Sequence, residues 1–170
     1  GLGTAFNHIG LTFYYQSDLK NAIIYYNFSC FVKLFISDYK GLASTYSNLA
    51  LAYQEKGDFT NAIFYNLKSL LIRQQLNDTK AIAVSYNNIG TTYHYMGMLQ
   101  KALFYYKKAM FLNKKINNES SLIFSMSNIA LIYFELGKQT TSNIKKSVYD
   151  SALVFNHKTL ILEKKYNDVW

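Results

Sequence analysis

One pattern recurs every forty residues and leaves few folds open to the chain. Ile9-Gly10, Leu49-Ala50, Ile89-Gly90 and Ile129-Ala130 are spaced by forty. Large apolar residues hold the same phase: Phe6, Tyr46, Tyr86 and Met126, then Phe13, Tyr53, Tyr93 and Tyr133. Ala22, Ala62 and Ala102 follow in the first three copies. A fixed period of this size marks a repeat array, in which each unit buries its apolar face against its neighbours. Within a copy, positions 6, 9, 10 and 13 are spaced i, i+3, i+4 and i+7, one face of a helix. The small residue at position 10 keeps that face thin, so a neighbouring helix can come close.

The spacing predicts first (A) helices over about 1–16, 42–56, 82–96 and 122–136, and second (B) helices over about 19–37, 59–77 and 99–117. Gly57, Gly97 and Gly137 are expected to end the A helices, as a glycine in the left-handed region does. Ser17-Asp18 stands at that point in the first copy. Asp38, Asp78 and Asn118 lie at the joints between copies, where Asp and Asn stop one helix and cap the next. In the fourth copy the expected alanine arrives ten residues late, at Ala152, and the second half then resumes through Phe155, Leu160 and Tyr166-Asn167-Asp168. The added stretch lies near 139–149. Ile144, Val148, Ala152 and Phe155 suggest an early start to the last B helix; the polar run Gln139–Asn143 leaves a loop as the alternative.

The series aromatic, Leu or Ile with a small residue, aromatic, turn, Ala is clearest at Tyr86, Ile89-Gly90, Tyr93, Gly97, Ala102 and Tyr106. It resembles the tetratricopeptide repeat (TPR). The period is forty rather than about 34 and there is no terminal proline, so the chain is similar to the long-repeat TPR arrays of bacterial signalling proteins and of some eukaryotic adaptor proteins. The resemblance implies an all-α, right-handed superhelical solenoid of four antiparallel helix pairs, A helices lining the concave face. The repeats would be about 1–40, 41–80, 81–120 and 121–170, forming a single array over 1–170. The chain begins without Met and in phase with the repeat, so a fragment of a longer protein is expected.

If positions 6, 9, 10 and 13 are buried, a rotation of about 100° per residue puts positions 4, 7, 8, 11, 14 and 15 on the opposite side of each A helix. The candidate ligand-binding residues there are Asn7, His8, Leu11, Asn48, Leu51, Gln54, Asn87, Asn88, Thr91, His94, Tyr95, Asn128, Leu131 and Phe134. Asn48, Asn88 and Asn128 share one phase, with His8 in the first copy. An asparagine amide carries a donor and an acceptor, matching an extended peptide backbone; in similar TPR proteins inward asparagines hold peptides this way. The alternative is that they bond to neighbouring helices. No Lys or Arg shares this face, which disfavours the two-carboxylate clamp of chaperone-binding TPR domains.

The chain carries a formal charge of +8. Of its basic residues only Lys56 falls on a predicted A helix; the others, among them Lys33, Arg73, Lys107 and Lys108, fall on B helices and turns. They are expected to form a solvated outer face, and nucleic acid is not the expected partner. The lone Cys30 reads as a small buried apolar residue. No run of about eighteen apolar residues marks a membrane span. His8, His94 and His157 have no metal-ligand spacing, and no phosphate loop or catalytic triad motif is present. The expectation is a protein- or peptide-binding scaffold, not an enzyme, with no cofactor and no metal. By the same resemblance, the parent would be a bacterial signalling protein such as a sensor histidine kinase or transcriptional regulator. Self-association through open repeat edges is the second reading, and a basic nucleic-acid-binding surface the third. Either way the domain is expected to be soluble, in the cytoplasm or periplasm according to the parent.

Overall fold

The computed structural model describes the backbone of residues 1–140 and 145–167, and the side chains of residues 1–140 and 145–164. It is all-α. The helices are α1 Leu2–Tyr15, α2 Leu19–Phe35, α3 Tyr39–Glu55, α4 Phe59–Gln75, α5 Thr79–Tyr95, α6 Leu99–Lys115, α7 Glu119–Gln139 and α8 Lys145–Asn167. Helices α1 and α2, α3 and α4, and α7 and α8 pack as pairs, and α5 pairs with α6 through the stacked rings of Tyr93 and Tyr105. Residues 1–85 and 86–170 form two compact units, the division falling inside α5.

One turn closes every helix from α1 to α6. A residue with positive φ stands at Ser17, Ser37, Gly57, Asn77, Gly97 and Asn117, twenty residues apart each time. The next residue's N–H donates back to the carbonyl five residues earlier, as in Asp18 to Phe13 at 2.9 Å and Asp38 to Lys33 at 2.8 Å, which satisfies carbonyls the helix end would leave bare. Except at Met98, the residue after the turn caps the next helix: Asp18, Asp38, Asp58 and Asp78 accept from the N–H of Asn21, Gly41, Asn61 and Ala81 at 2.9–3.1 Å. Because Asp38, Asp78 and Asn118 cap directly, α3, α5 and α7 begin three residues before the predicted 42, 82 and 122. The less regular Ser17-Asp18 forms the same turn as the others.

Gly137 does not end the fourth A helix. Helix α7 runs on to Gln139, and Gly137 is buried where an added Cβ would meet the Tyr149 ring at 2.6 Å. Residues 137–139 therefore lengthen α7, and α8 starts early, at Lys145. Tyr149 joins the two helices by lying on Gly137 and against Phe134, ring centroids 5.8 Å apart. Most of the predicted polar loop, and Ile144, lie outside the described residues, as does Asp168; Tyr166 and Asn167 have no described side chains.

The core follows the predicted stripe. In the first unit Ala22, Tyr26, Leu49 and Ala52 are buried together; in the second, Leu99, Ala102, Leu103, Tyr106, Ile129 and Ile132. The first helix differs: Ile9 is 39% exposed, whereas Leu49, Ile89 and Ile129 in its phase are 0% exposed. Stacked rings flank the core, Phe13 on Tyr25, Tyr53 on Tyr65 and Tyr133 on Phe155 at 5.4–5.8 Å. Among the described residues only α7 is long and apolar enough to cross a membrane, with mean hydropathy 1.2 over its apolar window. No unbroken apolar run marked it in the sequence; here Ile129, Ala130 and Ile132 spend its apolar face on packing.

Two basic residues depart from the expected solvated face. Lys33 is 5% exposed; its Nζ donates to Thr45 Oγ1 at 2.8 Å and to the Gly41 carbonyl at 3.3 Å, and burial holds its pKa below the usual lysine range. Arg73 repeats this, donating to Ser85 Oγ at 2.7 Å and the Ala81 carbonyl at 3.2 Å. Asn113 does so with Ser125 and Ser121. The same position in three B helices thus latches each to the following A helix. Lys68 and Lys108 lie over the rings of Phe64 and Phe104, 4.5 Å from their centroids. Burial pushes the Cys30 thiol up to about 12, which keeps it protonated and unreactive.

Truncating an apolar side chain costs transfer energy plus the cavity left behind. Ile89→Ala is expected to cost about 2–5 kcal/mol, and Ile9→Ala clearly less. Losing the Lys33 latch removes two hydrogen bonds made by a buried charged group, so Lys33→Ala should cost about 1–3 kcal/mol, against under ~0.5 kcal/mol for the exposed Lys20→Ala. Urea denaturation of the four variants checks both orderings.

Candidate interaction groove

In the second unit, the sides of α5 and α7 away from the buried stripe enclose a pocket with α6. Its volume is about 490 Å³, and Thr91, His94, Tyr95, Tyr106, Phe124, Asn128 and Leu131 line it. Five of these are predicted site residues: Thr91, His94, Tyr95, Asn128 and Leu131. His94 Nε2 sits 2.9 and 3.0 Å from the two carboxylate oxygens of Glu135, fixing the ring across α5 and α7. Asn128 Nδ2 is buried and has no hydrogen-bond partner. A buried donor left unpaired costs about 1–3 kcal/mol.

Of the other two lining residues, Phe124 is position 4 of the predicted groove side, though not among the candidate ligand-binding residues, and Tyr106 was not on that side at all. Tyr106 comes from α6 and reaches the pocket only because Gly90 lies beneath it: a Cβ on Gly90 would fall 2.8 Å from the Tyr106 ring. The phenol lands 3.1 Å from Thr91 Oγ1. Burial raises its pKa, with the Thr91 hydrogen bond working the other way, so it stays neutral as both donor and acceptor. Gly10 and Tyr26 make the same fit in the first unit, at 2.6 Å, and burial pushes the Tyr26 phenol up to about 12. Where alanine replaces glycine, at Ala50, the residue in the tyrosine phase is Asn66. That pairing of sizes across two phases was the available signal for Tyr106.

The remaining predicted residues divide. Asn87 is 6% exposed and its Oδ1 accepts from Ser125 Oγ at 3.2 Å, a bond between helices, so it does not face the groove. Asn88 is half-buried, in phase with Asn128. Phe134 is exposed and stands between Tyr149 and Lys138, whose Nζ is 4.4 Å from its ring centroid. In the first unit Asn48 donates through Nδ2 to Asn7 Oδ1 at 3.0 Å, and Thr45 donates to the same oxygen at 3.2 Å. The alternative reading of the asparagines, bonds between helices, therefore describes the Nδ2 of Asn48 and all of the Asn7 acceptor. Leu11 and Gln54 are half-buried, and His8 and Leu51 are exposed.

The profile of the family described as Tetratricopeptide repeat matches residues 41–115. Residues 41–115 carry tetratricopeptide repeats. No curated protein matches the TPR chain in sequence. Among solved structures it is similar to BtubC (BKLC) from P. vanneervenii, with a TM-score of 0.83 and 15% identity over 98% of this chain and 65% of that one. It is similar to the apo form of RapI, TM-score 0.81 and 20% identity over 98% and 57%. A third is aspartyl phosphate phosphatase F from Bacillus subtilis, TM-score 0.81 and 19% identity over 98% and 41%. The TPR chain thus spans less than two thirds of each of these proteins, and at such identities the likeness is one of fold.

The Gly90–Tyr106 fit makes a testable claim about coupling. Gly90→Ala should cost about 1–3 kcal/mol by overpacking. The double variant Gly90→Ala with Tyr106→Asn, which copies the pairing at Ala50 and Asn66, should be at least about 1 kcal/mol more stable than the two single losses summed. A double-mutant cycle in urea measures it.

Proposed function

We propose that this TPR array is a scaffold that binds an extended segment of a partner protein on the groove side of the A helices, in the pocket of the second unit. The observation that carries the reading is the unpartnered Nδ2 of Asn128, buried in a pocket that also offers Phe124 and Leu131 as apolar walls. A peptide carbonyl meets the amide, and an adjacent apolar side chain fills the space against Leu131. Tyr106 and Thr91 supply further neutral hydrogen-bonding groups. Asn88 and Asn48 hold the same phase, and the Oδ1 of Asn48 is the part of its amide not used on Asn7. The pocket has no lysine or arginine on its walls, so recognition there does not depend on an anionic ligand.

The likeness to an aspartyl phosphate phosphatase from Bacillus subtilis supports placing the parent protein in bacterial signalling, as a TPR-containing sensor histidine kinase or transcriptional regulator. A second reading, association through an open repeat edge, has its own support. Ile9 is exposed where its equivalents are covered, so the outer side of α1 fits another helix. Sedimentation separates the two: a mass that rises with concentration favours association, a constant monomer mass the peptide scaffold.

Peptides selected by display on the chain provide the direct test. Asn128→Ala should weaken a groove-bound peptide by roughly 1–2 kcal/mol, the scale of one hydrogen bond, with little loss of stability. Asn87→Ala should do the reverse, lowering stability through its bond to Ser125 and leaving affinity nearly unchanged. Equal effects of the two on affinity would count against the groove.

A further inference from the structure

The fourth helix pair lacks a ring that the other three possess. In each earlier pair an aromatic residue of the A helix lies on an aromatic residue of the B helix: Phe6 on Tyr25, Tyr46 on Tyr65 and Tyr86 on Tyr105, with ring centroids 6.3, 5.7 and 6.0 Å apart. In the fourth pair the B-helix ring is present as Phe155, stacked on Tyr133, but the A-helix position is Met126. Beside Met126 an open pocket of about 490 Å³ lies between α6, α7 and α8. Met110, Leu122 and Phe155 wall it, and the exposed Lys114 and Lys158 stand at its rim. Among the described residues no acidic one lines it. In the second and third pairs the lysine in the phase of Lys158 covers the A-helix ring, Lys68 at 5.4 Å from Tyr46 and Lys108 at 5.3 Å from Tyr86. Lys158 instead stands over Phe155, its Nζ 5.9 Å from the ring centroid.

We propose that this pocket is a second binding site, taking an aromatic side chain from a partner protein segment whose neighbouring residues are acidic. The ring occupies the place that Tyr46 and Tyr86 fill from within the chain, against Phe155 and the two methionines. Methionine side chains adapt their shape to an incoming ring and make favourable sulfur–aromatic contacts. Carboxylates on either side of the ring pair with Lys114 and Lys158. The apolar floor selects the ring and the two cations select its flanks, so both are needed. This site lies apart from the groove of Thr91 and Asn128 and goes beyond the function proposed for it.

The probe is a fluorescently labelled heptapeptide with one phenylalanine between aspartates and glutamates, read by anisotropy against the whole chain. Saturable binding that weakens with added salt is expected, because the flanking contacts are between exposed charges. Met126→Tyr restores the internal ring and should weaken binding by about tenfold or more, with a melting temperature equal to or above that of the parent chain. Should Met126→Tyr fail to fold, Met126→Phe takes its place. Lys114→Glu with Lys158→Glu should also weaken binding by about tenfold or more, whereas Asn128→Ala should leave it unchanged. The proposal is overturned if no saturable binding is seen, if a folded Met126→Tyr or Met126→Phe binds as the parent does, or if a peptide with alanine in place of phenylalanine binds equally well.

Discussion

A helix of seventeen residues and a connection of three return the chain to the same rotational phase every twenty residues, and the rest of the structure depends on that beat. Seventeen residues make nearly five turns, so a side chain that faces the partner at the start of one helix faces it again in the next. The left-handed residue at the turn and the capping Asp or Asn behind it end one helix and begin another without a proline. Serine and asparagine accept the positive φ at some strain, and the hydrogen bond from the following N–H to the carbonyl five residues back holds them there. Because the turn barely varies from α1 to α6, differences between copies appear in side chains and leave the path of the chain alone.

Those side-chain differences distribute the chemistry. A glycine at the tenth position admits a tyrosine from the B helix, and at Gly90 that phenol, of Tyr106, lines the groove. An alanine there goes with an asparagine in the tyrosine's phase. The position occupied by Lys33, Arg73 and Asn113 ties each B helix to the next A helix through a hydroxyl and a carbonyl. Three different donors serve one latch because its acceptors, a backbone carbonyl and a Thr or Ser oxygen, are neutral and demand no charge. The cost of burying the Lys33 ammonium appears as its depressed pKa. The charge of the chain is thus partly structural, and partly laid over aromatic rings by Lys68 and Lys108.

Much of this was legible in the sequence. The forty-residue period, the apolar stripe, the boundaries to within three residues and the caps at Asp38, Asp78 and Asn118 all followed from residue types and spacing. The twenty-residue beat was visible as well, in Asp18 and Asp58 beside Asp38 and Asp78, but serine and asparagine in place of glycine hid the common turn. Gly137 misled because a glycine at a helix end and a glycine beneath a ring look alike in one dimension; only the place of Tyr149 tells them apart. In the groove, a 100° rotation located Thr91, His94, Asn128 and Leu131. It could not show that Asn87, one residue from Asn88, turns into Ser125. Nor could a rotation about the A helix find Tyr106, which arrives from another helix across a missing Cβ.

The central functional claim is that one buried amide in the second unit waits for an acceptor from a partner. The side-chain amide resonances of the asparagines report on this directly, because each gives its own pair of N–H signals. In an NMR titration of the labelled chain with a display-selected peptide, the Asn128 amide should shift strongly and saturably, while the amides of Asn87 and Asn113, already committed to Ser125, should stay nearly still. An Asn128 signal that does not move at saturation, or shifts of equal size at all three, would contradict the account.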